Sequence, residues 1–552
     1  MSTQMYKSTD ILDLKWIDVN IPCKAACPIQ TNVPEYIRAI SQGDYHTAYL
    51  INRNDNVLPS ILGRICSRPC ESACRHGWDG LGDPVAICFL KRSASDFGFK
   101  ELKPEITPNG KSVCVVGAGP SGLTAANDLA LKGYSVTVLE QYPEPGGMLR
   151  YGIPRFRLPL DIVQQDVQSI LDLGVTLKTG ERIETGQQFN DLTQQYDAVI
   201  MAGGCMAPKT LDIPGLDADG VTWGLQYMMD ANTNKSTQSP ANVVVVGGGF
   251  TSVDCTRMAH RLGAKKITLS FLFTKNDMTV GHHEIEDMEA EGIEFAFLVS
   301  PVSIETENNR VTGVRFKRNS VHKDNTIKTI PDSDFVIPAD VVVFAIGQKE
   351  EQYLNVKFGE TNNKLYTTGD FRNGASTVIE ACAEGRRTAR LVHARLAGLS
   401  GYQDVVTIEP VTQTCRTRDM DFIPLQPMDK IPIAERSIKE KEVDTGFLPE
   451  KSVTEANRCY LCHYNFQIDI DRCIYCLACI DVMPVDCIKM AQDIIVSDDG
   501  NMTPVPAENW ERVKAIVIDN NKCIRCGNCA RACPVDCISI SRYSIATHEI
   551  KE

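Results

Sequence analysis

The spacing of its cysteines constrains this chain more than any other feature. Half of the 22 lie between Cys459 and Cys537. There CIYCLAC, from Cys473, and CIRCGNCARACP, from Cys523, each place three thiols in C-x2-C-x2-C succession, and the second ends in C-x3-C-P. Zinc sites usually pair two C-x2-C units across a spacer, whereas three thiols in tight succession wrap the corners of a cuboidal iron–sulfur cluster. Disulfides suit small secreted chains. At 552 residues, opening with MSTQMYKSTDILDLKW rather than a basic-then-apolar leader, this chain does not fit that class. No apolar run reaches the roughly eighteen residues of a membrane helix, so a cytoplasmic chain without membrane contacts is expected. A net charge of −13 with no Lys/Arg-rich run argues against a nucleic-acid partner.

Two strand–turn–helix patterns carry the second signal. In KSVCVVGAGPSGLTAANDLALKGYSVTVLEQ, residues 113–116 read as a buried parallel strand and Gly117, Gly119 and Gly122 fit G-x-G-x-x-G leading into a helix. Gly117 permits the tight turn, Gly119 lets backbone N–H groups approach a pyrophosphate, and Gly122 permits close helix–strand packing. Residues 135–139 form the next strand, which ends in Glu140, placed for the ribose of an adenine dinucleotide. The second pattern, ANVVVVGGGFTSVDCTRMAHRLGAKKITLSFLF, offers Gly247, Gly249 and Ser252. The strand after it ends near Ser270 with no acidic residue. His282 and His283, in VGHHEIEDMEAEG, point about 100° apart on a helix and are expected on a solvated face with Glu284, Glu286 and Glu289. No nucleophile triad appears, and chemistry carried by a dinucleotide cofactor needs none.

The N-terminal segment adds Cys23 and Cys27 in ACPIQTNVPEYI, then Cys66, Cys70 and Cys74 in GRICSRPCESACR, and Cys88 in PVAICFLKRSASD. A spacing of four sets consecutive thiols one helical turn apart. These stretches, with both glycine motifs, resemble the small (β) subunit of glutamate synthase and the N-terminal half of dihydropyrimidine dehydrogenase over nearly all of residues 23–400. The resemblance implies two N-terminal [4Fe–4S] clusters, an FAD domain and an interrupting NAD(P)H domain. It also implies that Gly147, Met148 and Arg157, in EPGGMLRYGIPRFRLP, and Gly369, Asp370, Thr377 and Val378, in TTGDFRNGASTVIEACAEGRRTA, join Gly117, Gly119, Pro120, Ser121, Gly122 and Glu140 in holding FAD. Gly247, Gly249, Phe250, Thr251, Ser252 and Gly347 would hold the nicotinamide nucleotide.

The chain departs from that family in three places. Relatives carry an EAxRCLxC-like motif just before Cys23, but residues 15–22 hold no cysteine; the motif stands instead at VTEANRCYLC, with Cys459 and Cys462. A permuted segment then yields the ligand set Cys23/Cys27/Cys459/Cys462. The second set is Cys66/Cys70/Cys74/Cys88, because Lys91 occupies the fourth-ligand position of relatives and a charged Lys cannot bind iron. Thirdly, Leu272 and Phe273 replace the arginine pair that grips a 2′-phosphate, which favours NADH over NADPH and leaves open a site that binds no nicotinamide.

In a two-cluster ferredoxin each motif lends its fourth cysteine to the other cluster. Cys473, Cys476 and Cys479 thus take Cys533. The set Cys523/Cys526/Cys529 would take residue 483, which is Met, so Cys487 is the nearest substitute; without it a three-iron cluster results. Cys114, Cys205, Cys255, Cys382, Cys415 and Cys537 remain as small apolar residues.

The expected chain is multidomain. It has an α-helical Fe–S domain (1–105), two α/β Rossmann-like domains arranged as in adrenodoxin reductase (FAD, 106–235 and 346–400; NAD(P)H, 236–345), a linker returning to the N-terminal domain (401–465), and an α+β bacterial ferredoxin-like domain (466–552). Its expected function is electron exchange between NADH, FAD and four [4Fe–4S] clusters, in a hetero-oligomer serving a ferredoxin or a larger redox subunit. Two alternatives are an electron conduit with a non-functional nicotinamide site and a glutamate synthase small subunit proper. The added ferredoxin block argues against the latter.

Overall fold

The apolar runs Ser112–Val116 and Asn242–Val246 become the central strands of two separate five-stranded sheets, each parallel throughout. This computed structural model describes residues 14–78, 82–101, 103–235, 241–321, 326–351, 363–497 and 502–551. The N-terminal leader reading and the domain boundary near 236 lie outside them. The chain forms two units: Leu102–Arg390 with Asp429–Thr445, and Met1–Glu101 with Leu391–Met428 and Gly446–Glu552.

In the first unit, Ser112–Val116 is flanked by Ser135–Glu140 and Thr176–Thr179 on one side and by Ala198–Met201 and Leu365–Thr367 on the other. The last strand arrives from beyond the second sheet, so the flavin half is split in sequence and closed in space. Asn242–Val246 lies between Lys266–Phe271 and Val341–Phe344, with Glu294–Phe297 and Val221–Trp223 at the edges. Strands buried on both faces tolerate such uninterrupted valine runs.

Buried charges tie helices of this unit together. Glu291, wholly buried, accepts from Arg257 at 2.7 Å and from Arg261 at 3.1 Å. Glu284 accepts from Arg257 at 3.2 Å and also binds Arg157, which reaches Asp254 at 2.8 Å. The Arg261 guanidinium lies 3.8 Å from the centre of the Phe156 ring. Glu284 therefore does not share the solvated face expected for the His282 helix, because the arginines draw it inward; Glu286 and Glu289 stay exposed.

In the second unit, Tyr36, Ile37 and Ile40 of helix Val33–Ser41 turn one apolar stripe into the core. That core is continuous with Phe466, Ile488 and Ile516 of the ferredoxin-like half and with most of the clustered cysteines. The stretch expected as a linker contains a strand, Leu399–Val411, paired antiparallel with Ile538–Lys551. Its alternation of half-buried Tyr402, Val406 and Ile408 with exposed Gln403, Val405 and Thr407 is the period-two pattern of a one-faced strand. Among the described residues, no helix is long and apolar enough to cross a membrane.

Removing Glu291 takes the carboxylate partner from the buried Arg261 and one of two from Arg257, which keeps Glu284. Glu291→Ala is expected to cost about 3–5 kcal/mol, read as a lower midpoint for thermal release of flavin fluorescence. Burial opposes ionisation of Glu284 and Glu291, but Arg157 beside the first and Arg257 beside the second hold both below the usual carboxylate value of 4.5. Their stabilisation is therefore complete above about pH 4.5 and lost as pH falls toward the depressed values, so Glu291→Gln should flatten the acid limb of the melt.

Candidate flavin and iron–sulfur sites

Glu140 ends its strand 3% exposed, with one carboxylate oxygen accepting from the Ala118 N–H at 2.8 Å and the other from the Tyr142 N–H at 2.9 Å. Burial pushes its pKa up while those backbone donors pull against it. Gly119 is the N-cap of helix Pro120–Leu131, and a Cβ there would meet nothing within 4 Å, so its backbone faces open space. A Cβ on Gly122 would collide with the Gly117 carbonyl, which is the close helix–strand contact the motif requires. Gly147, at φ +52°, packs so near the Gly119 Cα that a side chain would come within 2.9 Å of it.

The second flavin segment returns to the same helix end. Thr368 shares a 2.9 Å hydrogen bond with Ser121, Gly369 leaves no room for a Cβ beside Ser121, and Ser376 donates to Asp370 at 2.5 Å. Gly117, Gly119, Pro120, Ser121, Glu140, Gly147, Met148, Asp370, Thr377 and Val378 all line one cavity of about 260 Å³. An adenine dinucleotide fits this set: an acidic group at a strand end, an unobstructed glycine turn, and a helix N-terminus for the pyrophosphate.

Gly122 and Gly369 support the wall from behind it. Arg157 stands apart, engaged by Asp254 and Glu284. Sequence reasoning missed Tyr142, Arg182, Gly203, Gly204, Cys205 and Met206, which also line the cavity. The run Gly203–Gly204 after strand Ala198–Met201 was the available signal, since ligands collect at the carboxyl ends of parallel strands.

Phe250 and Thr251, at the start of helix Phe250–Arg261, border the same cavity, while Gly247, Gly249, Ser252 and Gly347 do not. The two glycine turns can be superimposed by their ladders: the Gly117 N–H donates to Leu139 O, and the Gly247 N–H to Ser270 O. Phe271 is thus the counterpart of Glu140. Its ring lies against Gly248, where any Cβ would strike it. Ser270 is wholly committed to the sheet, its hydroxyl donating to Val245 O at 3.1 Å.

The cysteines gather in four groups, each opened by one repeated turn. Cys66, Cys459, Cys473 and Cys523 each accept through Sγ from the N–H two residues on, at 3.4–3.5 Å. Those donors, Arg68, Leu461, Tyr475 and Arg525, all have left-handed φ between 52° and 63°. Four non-glycine residues in that conformation mark backbone bent around the sulfur, at a cost of about 1–2 kcal/mol each. No three of the described Cys, His, Asp or Glu side chains converge tightly enough for a single metal ion. A cuboidal cluster instead spreads its thiolates over separate corners.

Membership of the groups differs from expectation at two positions. Cys23, Cys74, Cys459 and Cys462 line one cavity, whereas Cys88 touches Cys66 and Cys70, and Cys27 lies with them around the Lys91 ammonium. Cys27 and Cys74 have exchanged places. The reason is local: helices Pro22–Ala25 and Pro69–Ser72 end before the second cysteine of each C-x3-C pair, so the thiols are not held on one face. The permuted motif with Cys459 and Cys462 does meet Cys23. In the ferredoxin-like half, Cys487 touches Cys523 and stands near Cys526 and Cys529, and Cys473 lies near Cys476 and Cys479. Cys473 is in hydrogen-bond contact with Cys537, whose Sγ is 3.4 Å from that of Cys533. Of the other unassigned cysteines, Cys114, Cys255 and Cys382 are buried and Cys415 is exposed.

Buried cations surround these groups, and no spacing rule announces them. Lys91, 1% exposed, is opposed by burial, but the thiols of Cys88, Cys66, Cys27 and Cys70 raise its pKa. Arg75 donates to Asn520 O and Asn20 O, and the Cys462 and Cys523 thiols both act on it, so the first group adjoins the ferredoxin-like half. Arg416 and Arg525 donate to Ile524 O and Cys523 O and hold that loop closed.

Residues 111–385 match the pyridine nucleotide-disulphide oxidoreductase family, residues 19–102 the dihydropyrimidine dehydrogenase domain II 4Fe-4S cluster family, and residues 516–539 the 4Fe-4S binding domain family. The NADP(+)-dependent formate dehydrogenase subunit beta of Moorella thermoacetica is 32% identical over 502 residues, covering 81% of this chain and 71% of that one. The NADPH-Fe(3+) oxidoreductase subunit beta of Geobacter sulfurreducens is 31% identical (80% and 75% covered), and the glutamate synthase [NADPH] small chain of Halomonas elongata 30% (69% and 88%). The chain belongs to the glutamate synthase small-chain family. It is an iron–sulfur flavoprotein oxidoreductase with FAD- and NAD(P)-type Rossmann-like domains, an N-terminal Fe–S domain and a ferredoxin-like C-terminal domain.

Glu140→Ala removes the buried carboxylate at the strand end and with it the clamp on the Ala118 and Tyr142 N–H groups. It is expected to weaken FAD retention by roughly tenfold to a hundredfold, the worth of about 1.5–3 kcal/mol for hydrogen bonds to a charged group, measured as flavin per chain after gel filtration.

Proposed function

We propose that this chain is the electron-input subunit of a hetero-oligomeric redox enzyme. It takes hydride from NADH at one cavity and distributes single electrons through four [4Fe–4S] clusters to a ferredoxin or a larger catalytic partner. The observation that carries the reading is the shared cavity: the helix N-termini at Pro120 and Phe250 both open onto it, which supports nicotinamide meeting flavin there. When bound, FAD supplies the exchange between hydride pairs and single electrons. The chain contributes Glu140 and the glycine turn for binding and an apolar wall of Met201, Ala202 and Leu225 that excludes water. Four turns with the same N–H to sulfur bond support four clusters, and their common core supports passage among them. Relatives named as β or small chains of multi-subunit enzymes support a partner chain.

NADH is favoured because Leu272 and Phe273 offer no charge to a 2′-phosphate, although these relatives are named for NADP(+) or NADPH. Phe271 favours a second reading, an electron conduit without a working nicotinamide site, since its ring lies where Glu140 stands in the flavin half.

Anaerobic mixing with each nucleotide separates the readings. Flavin bleaching by NADH at least tenfold faster than by NADPH is expected. A preference for NADPH would overturn the nucleotide choice, and no bleaching with either would leave the conduit. Phe271→Glu, which restores an acceptor, is expected to tighten NADH about tenfold or more, the worth of one hydrogen bond to a charged group.

A further inference from the structure

The ferredoxin-like half is a repeat with a constant offset: Asp469, Cys473, Cys476, Cys479 and Cys487 correspond to Asp519, Cys523, Cys526, Cys529 and Cys537. The backbone obeys the same correspondence. The Asp469 N–H donates to Cys537 O at 2.8 Å and the Asp519 N–H to Cys487 O at 2.7 Å; the Cys473 N–H donates to Asp469 O at 3.0 Å and the Cys523 N–H to Asp519 O at 2.9 Å. The side chains follow it too, Cys487 touching Cys523 as Cys537 touches Cys473. The repeat breaks at one place. Where one half has Met483, whose thioether accepts from the Ile488 N–H at 3.3 Å, the other has Cys533. Cys533 and Cys537 are 3.4 Å apart, sulfur to sulfur.

We propose that Cys533 and Cys537 are interchangeable fourth thiolates for the cluster of Cys473, Cys476 and Cys479, whereas Cys487 is the sole fourth thiolate for the cluster of Cys523, Cys526 and Cys529. This rests on the reading above that both motifs hold four-iron clusters. Cys533 has the usual C-x3-C-P spacing, and Cys537 has the position that Cys487 must fill alone. Exchange between them is a thiolate substitution at one iron. The bond to the Cys533 sulfur breaks, that to the Cys537 sulfur forms, and the proton of the incoming thiol passes to the departing one, with no change in electron count. One cluster is therefore buffered against loss of a ligand and its partner is not.

The test uses the full chain, purified without oxygen, with iron, sulfide and FAD measured and EPR recorded after mild oxidation. Cys533→Ala and Cys537→Ala are each expected to keep the wild-type iron content and to show no three-iron signal. The double variant is expected to lose one iron or the whole cluster, and Cys487→Ala alone to give the three-iron signal. FAD content and elution volume show that each variant has folded. Iron loss in either single variant, full iron in the double, or full iron in Cys487→Ala would overturn the proposal. A wild-type chain without four-iron clusters would instead remove the reading beneath it.

Discussion

Four thiols drawn from three distant stretches of chain, Cys23, Cys74, Cys459 and Cys462, face one apolar cavity, and the cysteine-bearing unit is organised by that convergence. Without metal such a site is unfavourable. Burial, reinforced by the neighbouring thiols, pushes Cys23 far above its usual range and Cys459 up to about 12. Thiolate ligation would reverse that penalty, the physical basis on which small metal-folded domains couple folding to metal uptake. Arg75, Arg416 and Arg525 contribute positive charge and saturate the loop carbonyls of Asn520, Ile524 and Cys523.

The nucleotide-binding unit shows the same framework used twice with different chemistry. Both glycine turns sit between a parallel strand and a helix, and both ladders close with the same backbone bond. At the strand end one half buries a carboxylate clamped by two N–H groups; the other places an aromatic ring over the turn. A ring cannot accept the hydrogen bonds that a buried carboxylate can, so the two halves differ at the position where Glu140 takes two N–H groups.

Much of this was legible in the residues. Apolar runs followed by glycine motifs announced both parallel sheets, because a strand buried on both faces needs no alternation. The displaced VTEANRCYLC motif announced that Cys459 and Cys462 belong with the N-terminus. The pairing of thiols was less legible. C-x3-C was read as one helical turn, yet both helices stop before the second thiol, and four residues of local sequence do not say where a helix ends when tertiary packing decides. The strand at Leu399–Val411 was passed over as a linker because its pattern is too polar to stand out until it pairs with Ile538–Lys551.

By itself, then, the sequence determined the kinds of chemistry: two dinucleotide folds, cysteine runs for iron–sulfur clusters, no charge pattern for nucleic acid. Those follow from short-range spacing, which backbone geometry enforces locally. The tertiary structure alone decided which thiols lie together, which arginines are buried among them, and that Phe271 answers to Glu140. Each of these depends on distances between residues tens to hundreds of positions apart, and such distances are settled only when the whole core packs.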